Sequence, residues 1–237
     1  MSRFVLVHGA WHGAWCWHKV VAELQRRGHE VQAVDLPGHG IDHTPAEEIS
    51  LDAYAEKVGQ VLVTSDEPAI LVGHSMGGLV ISEAAERFPN SVERLVYLCA
   101  FMPRPGAEPG EAQAALAGSQ VPSVIVPNEN RITANVNPER VKEVFYADCS
   151  DEDVALAKLC VVPQRMDVTV TQPSITVDGW GRVPRSYVVC TQDKAITEEA
   201  QRNMIEAVGC DHVVDLQTSH SPFFSAPVEL ADALEVS

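Results

Sequence analysis

Four apolar residues, Ala69-Ile70-Leu71-Val72, run directly into Gly73-His74-Ser75-Met76-Gly77-Gly78, and Leu79-Val80-Ile81-Ser82-Glu83-Ala84-Ala85 follows at helical spacing. A buried strand must therefore become a helix within a few residues, around a serine with glycines on both sides. Such a turn imposes unfavourable backbone angles on the serine and lifts its hydroxyl above the sheet edge. It also leaves helix N-terminal N–H groups free to meet developing negative charge. A phosphate-binding loop is the competing use of such glycines. The Walker pattern is not matched, since no lysine follows them, and G-x-G-x-x-G is missing too. Ser75 is the candidate nucleophile.

The rest of the chain supplies a setting for that turn. Apolar runs rich in β-branched residues predict strands over 4–8, 29–34, 69–72, 92–99, 186–190 and 212–216. Helical spacing predicts helices over 16–27, 51–63 with Ser50 as N-cap, 79–88, 197–208 and 227–234. The alternation implies a mostly parallel sheet flanked by crossover helices. It lapses between 101 and 184, where nine of the fifteen prolines lie and helical spacing persists only around 138–146 and 151–159. An inserted helical cap is expected over 101–184, leaving a core built from 1–100 and 185–237. Val144, Phe145 and Leu159 are expected in the cap's own core.

Charge narrows the partners. With 33 acidic against 17 basic side chains, the formal charge of -16 repels phosphate backbones and anionic headgroups, so neither nucleic acid nor a membrane is expected as a partner. Met1 leads into Phe4-Val5-Leu6-Val7 with no basic region and no cleavage site, which points to the cytoplasm. The six cysteines (Cys16, Cys99, Cys149, Cys160, Cys190, Cys210) form no C-x-x-C pair and no zinc-ligand spacing, and are read as reduced core thiols.

The turn and the alternation together resemble the α/β-hydrolase fold, which takes its catalytic residues in the order serine, acid, histidine. Asp193 follows the strand Tyr187-Val188-Val189-Cys190 by a short turn, and His220 follows the last strand through Gln217-Thr218-Ser219. In that reading His220 is the general base and Asp193 orients it. His212 starts its strand, at the wrong end of the sheet. His8, His12, His39, His43 and His74 also lack the required position, although His12 is a candidate for the pocket entrance. Acyl transfer needs two N–H donors, and Ala10 and Met76 are the candidates for the oxyanion hole. Gly9, beside Ala10, would let the backbone approach a substrate closely. No metal or organic cofactor is called for.

A narrower likeness runs along nearly the whole chain. It is carried by Phe4-Val5-Leu6-Val7-His8-Gly9-Ala10-Trp11-His12-Gly13-Ala14-Trp15, by Val72-Gly73-His74-Ser75-Met76-Gly77-Gly78, and by Ala100-Phe101-Met102-Pro103. Asp148-Cys149-Ser150-Asp151-Glu152-Asp153-Val154-Ala155-Leu156-Ala157, Cys190-Thr191-Gln192-Asp193-Lys194 and Ser219-His220 complete it. These segments resemble the plant methylesterase and hydroxynitrile lyase branch of the α/β-hydrolases and its bacterial esterase relatives. The resemblance implies a triad of Ser75, Asp193 and His220, an oxyanion hole from Ala10 and Met76, an apolar pocket under a small cap, and small esters as substrates. Lyase members carry a threonine in the oxyanion-side loop and a lysine after the catalytic histidine. Gly9 and Ser221 stand there instead, which favours ester hydrolysis over cyanohydrin cleavage. The cap is shorter than in the plant enzymes between Pro103 and Pro138, so their pocket residues do not carry over. Lactonase, thioesterase and tailoring-hydrolase activities stay open, as do a ligand-sensing role and a homodimer through the cap.

Overall fold

The computed structural model describes residues 1–107, 117–129 and 131–237. Six strands, β1 (Arg3–Val7), β2 (Glu30–Val34), β3 (Ala69–His74), β4 (Val92–Leu98), β8 (Arg185–Cys190) and β9 (His212–Leu216), form one parallel sheet in the order β2-β1-β3-β4-β8-β9. Every residue of β1 and β3 is buried, because helices cover both faces of the sheet at its centre. That is why their sequences are unbroken apolar runs rather than alternations.

The chain moves outward from β1 to β2, then returns past β1 to β3. With right-handed crossovers, this reversal puts α1 (His18–Arg26) and α2 (Leu51–Leu62) on opposite faces. Accordingly α1 packs against the C-terminal helix α8 (Pro227–Val236), and α2 packs against α3 (Gly77–Arg87). The strand order reverses between β1 and β3, and in an open α/β sheet the ligand crevice forms outside the carboxyl ends of the strands at such a point. Ser50 caps α2 by accepting the Ala53 N–H at 3.0 Å, as its position before the apolar face implies. A side chain on Gly78 would stand 2.0 Å from the Phe101 carbonyl oxygen, so α3 lies too close to the exit of β4 for any other residue.

Between β4 and β8 the described residues are less helical than the pattern implies. It contains a small antiparallel sheet, β5 (Ile125–Pro127), β6 (Thr133–Val136) and β7 (Gln164–Arg165), in the order β5-β6-β7. These strands are two to four residues long, below the length at which period-2 alternation can be read. The helix expected over 138–146 is a short α4 (Val141–Phe145), and the one expected over 151–159 is α5 (Asp151–Cys160). Ser150 caps α5 through the Asp153 N–H at 3.1 Å. Val144 and Phe145 are buried as expected, but Leu159 is 85 % exposed. All six cysteines are free thiols. No described helix is long and apolar enough to cross a membrane.

Candidate active site

Loops at the carboxyl ends of four strands converge on the crevice: 8–12 after β1, 75–76 after β3, 191–196 after β8 and 217–221 after β9. Ser75 sits at φ = 54°, in the left-handed region that non-glycine residues avoid, and it is only partly buried. Its neighbours fix that geometry. The Leu98 carbonyl accepts the Ser75 N–H at 3.2 Å, and the Ser75 carbonyl accepts from Gly78 and Phe101, each at 3.1 Å. A Cβ on Gly73 would lie 2.6 Å from the Gly77 oxygen, and one on Gly77 would lie 2.8 Å from the His8 oxygen. The glycines of the motif are therefore required by backbone-on-backbone contact as well as by the turn.

Gly9 is held to the same condition from the other side. Its missing Cβ would lie 2.8 Å from the Ser75 Cβ and 2.9 Å from His74 Nδ1. The turn around Ser75 is by itself enough to require glycine at this position. Among the described residues, nothing accepts the N–H of Ala10 or of Met76, so both are free donors at the rim of the crevice.

Asp193 and His220 meet in the interior. His220 Nδ1 donates to Asp193 Oδ2 at 2.6 Å, and both side chains are almost fully buried. The other carboxylate oxygen, Oδ1, accepts the N–H groups of Ala195 at 2.6 Å and Ile196 at 3.0 Å. Both oxygens are occupied, so the carboxylate cannot rotate freely. Ser75 makes no hydrogen bond to the imidazole; the link between the two runs through its neighbour. His74 Nε2 donates to the His220 carbonyl at 2.8 Å, and the two rings lie 4.5 Å apart.

His12, expected at the pocket entrance, has both ring nitrogens engaged elsewhere. Nδ1 donates to the Ala10 carbonyl at 2.7 Å, and Nε2 accepts from the Tyr146 hydroxyl at 2.6 Å. Burial lowers its pKa to about 4, so the ring is neutral. Burial also holds His8 and His74 well below the ordinary histidine value, with His39 adding to the effect on His8 and His220 to that on His74. In the unfolded chain these rings titrate near 6.5, so at lower pH the unfolded state takes up protons that the native state refuses. For His12 the contribution is complete above about pH 6.5 and is lost as the pH falls toward 4; for His8 and His74, also held well below the ordinary value, the loss has the same sign. His12 alone accounts for about 3 kcal/mol across that window. The urea midpoint should accordingly drop steeply between pH 7 and pH 5; a flat profile would show that the rings already bind protons in the native state.

Other contacts of the crevice come from side chains far away in sequence. The Phe145 ring lies 5.7 Å from that of His220 and 5.8 Å from that of Trp11, forming an apolar wall beside the imidazole. Trp11 has φ = 64° and is tied down by Gln164 and by its own indole N–H, donated to the Ala134 carbonyl at 2.8 Å. Phe145, Tyr146 and Asp148 were not assigned to the site from sequence. The stretch that contains Asp148 stood out there only as a likeness. Three ligand-type atoms, one each from His74, Cys99 and His220, also lie within 4.8 Å of one another, and all three residues are buried.

A six-stranded parallel sheet with a strained serine after its third strand, and a buried aspartate–histidine pair after its last two, is the arrangement of an α/β-hydrolase. The model described as "Alpha/beta hydrolase family" matches residues 4–233, and the chain belongs to that family. It is similar to Methylesterase 2 of Arabidopsis thaliana, with 35% identity covering 98% of this chain and 94% of the relative. Among solved structures it resembles polyneuridine aldehyde esterase at a TM-score of 0.90 and 28% identity, covering 100% of this chain and 98% of that one. A pyrethroid hydrolase from Sphingobium faniae aligns at a TM-score of 0.88 and 29% identity, over 99% and 96% of the two chains.

Proposed function

We propose that this chain hydrolyses small carboxylic esters, methyl or short aryl and alkyl esters, with Ser75 as nucleophile, His220 as base and Asp193 as the residue that orients it. The observation that carries the reading is the buried 2.6 Å contact between His220 Nδ1 and Asp193 Oδ2, on the loop next to a serine held at φ = 54°. The names of the relatives, methylesterases and a pyrethroid hydrolase, support an ester as substrate. Residues 101–184 act as the cap, and the Phe145 and Trp11 rings favour an apolar group next to the reacting carbonyl.

In this mechanism the Nδ1–H bond to Asp193 leaves the Nε2 lone pair of His220 free to take the Ser75 proton. The Ser75 oxygen adds to the carbonyl carbon, and the resulting oxyanion is met by the N–H groups of Ala10 and Met76. His220 returns the proton to the departing alcohol, leaving an acyl-serine. Water, deprotonated by His220, then adds to the acyl carbon, and collapse releases the acid and restores the serine.

A fluorophosphonate probe is expected to label the intact protein once, on the peptide that contains Ser75. Methyl and p-nitrophenyl esters should turn over repeatedly, with kcat/KM above that for lactones and thioesters of similar size. Labelling elsewhere, or a single turnover with persistent occupancy, would overturn the reading in favour of another nucleophile or of ligand sensing.

A further inference from the structure

The segment between α4 and α5 reaches the core at the loop that carries His220. Asp148 accepts two hydrogen bonds from Ser219, the residue before the base: the backbone N–H at 2.9 Å through Oδ2, and the hydroxyl through Oδ1. Cys149 next to it donates its thiol to the carbonyl of Ser221, the residue after the base, at 3.8 Å. Lys19 ties the same segment down, pairing with Asp153 at 2.7 Å and donating to the Phe224 carbonyl at 3.2 Å.

We infer that Asp148 is a positioning residue for the general base, holding the His220 loop in register with Ser75 from outside the core. The inference rests on the esterase reading above. Every residue of 218–221 is tied down by at least one hydrogen bond. The Thr218 carbonyl accepts from Gln192 at 3.0 Å, which joins this loop to the Asp193 turn, and the His220 carbonyl accepts from His74 at 2.8 Å. Those two attachments are core to core. The attachment at 219 comes from the β4–β8 segment, where the Asp148 carboxylate accepts both hydrogen bonds, while the Ser221 carbonyl accepts the Phe224 and Ser225 N–H groups as well as the Cys149 thiol. Ser219 itself is 1 % exposed, so without Asp148 its N–H and hydroxyl lose their partner inside the protein. The loop would then shift toward water to satisfy them, and the imidazole would move with it.

Tyr146 gives the same segment a hold on the other half of the site. Its hydroxyl donates to His12, whose Nδ1 holds the Ala10 carbonyl. One short stretch, residues 146–149, thus touches both the loop of the candidate oxyanion donor and the loop of the candidate base.

The test compares wild type with Asp148→Ala and Asp148→Asn in two measurements. On p-nitrophenyl acetate, D148A should lower kcat by about a hundredfold with KM changed less than about threefold, the pattern of a misplaced catalytic group. D148N, which keeps an oxygen for the Ser219 N–H, should recover most of that loss. The second measurement needs no turnover: the His220 ring nitrogens, read by 15N NMR, should show the Nδ1–H tautomer fixed in wild type and exchanging in D148A. An unchanged ring tautomer in D148A overturns the inference whatever the kinetics, as does a kcat within twofold of wild type. An inactive wild type whose ring responds to D148A would instead sink the esterase reading and leave the positioning intact.

Discussion

Ser75→Ala is expected to remove ester turnover to the limit of detection, a loss of about 10⁶ in kcat, while leaving the fold as stable as the wild type. The first part follows from chemistry. Without the hydroxyl no acyl-enzyme forms, and His220 has no oxygen of the protein to deprotonate. A loss of that size corresponds to about 8 kcal/mol of transition-state stabilisation. What is left is whatever Ala10 and Met76 supply to direct attack by water. The second part follows from the local structure. Among the described residues the Ser75 hydroxyl has no hydrogen-bond partner, and the residue is only partly buried, so deleting the oxygen breaks no hydrogen bond among them. The backbone strain at φ = 54° is unaffected, because alanine suffers the same Cβ clash. Ser75→Gly, equally inactive, should be the more stable of the two by about 1 kcal/mol, since glycine adopts this angle freely. Thermal unfolding and the ester assay read both effects. Turnover by the alanine variant within a few hundredfold of wild type would remove Ser75 as nucleophile.

Some of this architecture was legible in the sequence because it is local. The runs Phe4-Val5-Leu6-Val7 and Ala69-Ile70-Leu71-Val72 are strands buried on both faces, and both are found where the pattern places them. Gly73 to Gly78 reads as a tight turn because only glycine tolerates the backbone contacts found there. Asp193 and His220 stand out through the serine-acid-histidine order that the resemblance to the α/β-hydrolase fold implies, applied to residues just after the carboxyl ends of late strands. The remainder depends on pairings between distant residues, about which periodicity is silent. Gln164 fills the space between Trp11, His39 and Tyr54, each at least 110 positions away, yet its immediate neighbours give no sign of it. Phe145 and Leu159 look alike as apolar residues on short helices, but one faces His220 and the other faces water. Burial of an apolar side chain is a fair expectation; which cavity it fills is decided by the tertiary structure. Asp148 shows the same limit for polar residues. Its two bonds to Ser219 span 71 positions, and an exposed acidic residue in a strongly acidic chain attracts no notice by itself.

Asp193→Asn should cost about 10⁴ in kcat/KM at neutral pH with little loss of stability, and the reason lies in the two backbone donors on Oδ1 rather than in the lost charge alone. Ala195 and Ile196 both point N–H groups at that oxygen. In the asparagine variant the amide must present its carbonyl oxygen to them, because the opposite orientation would set its NH₂ against two buried donors, at about 1–3 kcal/mol for each group left unpaired. The NH₂ is therefore turned toward His220 Nδ1, where it can only donate. The imidazole responds by giving up the Nδ1 proton and carrying one on Nε2, the nitrogen that must accept the Ser75 proton. The base is left intact and placed correctly, but in the wrong tautomer. Fluorophosphonate labelling should slow in parallel with turnover, since both need the same proton transfer. Asp148 offers no substitute, since it is engaged with Ser219, on the neighbouring residue rather than on the ring. Activity within tenfold of wild type would mean that the tautomer is set by something other than Asp193, and the orienting role assigned to this carboxylate would have to be given up.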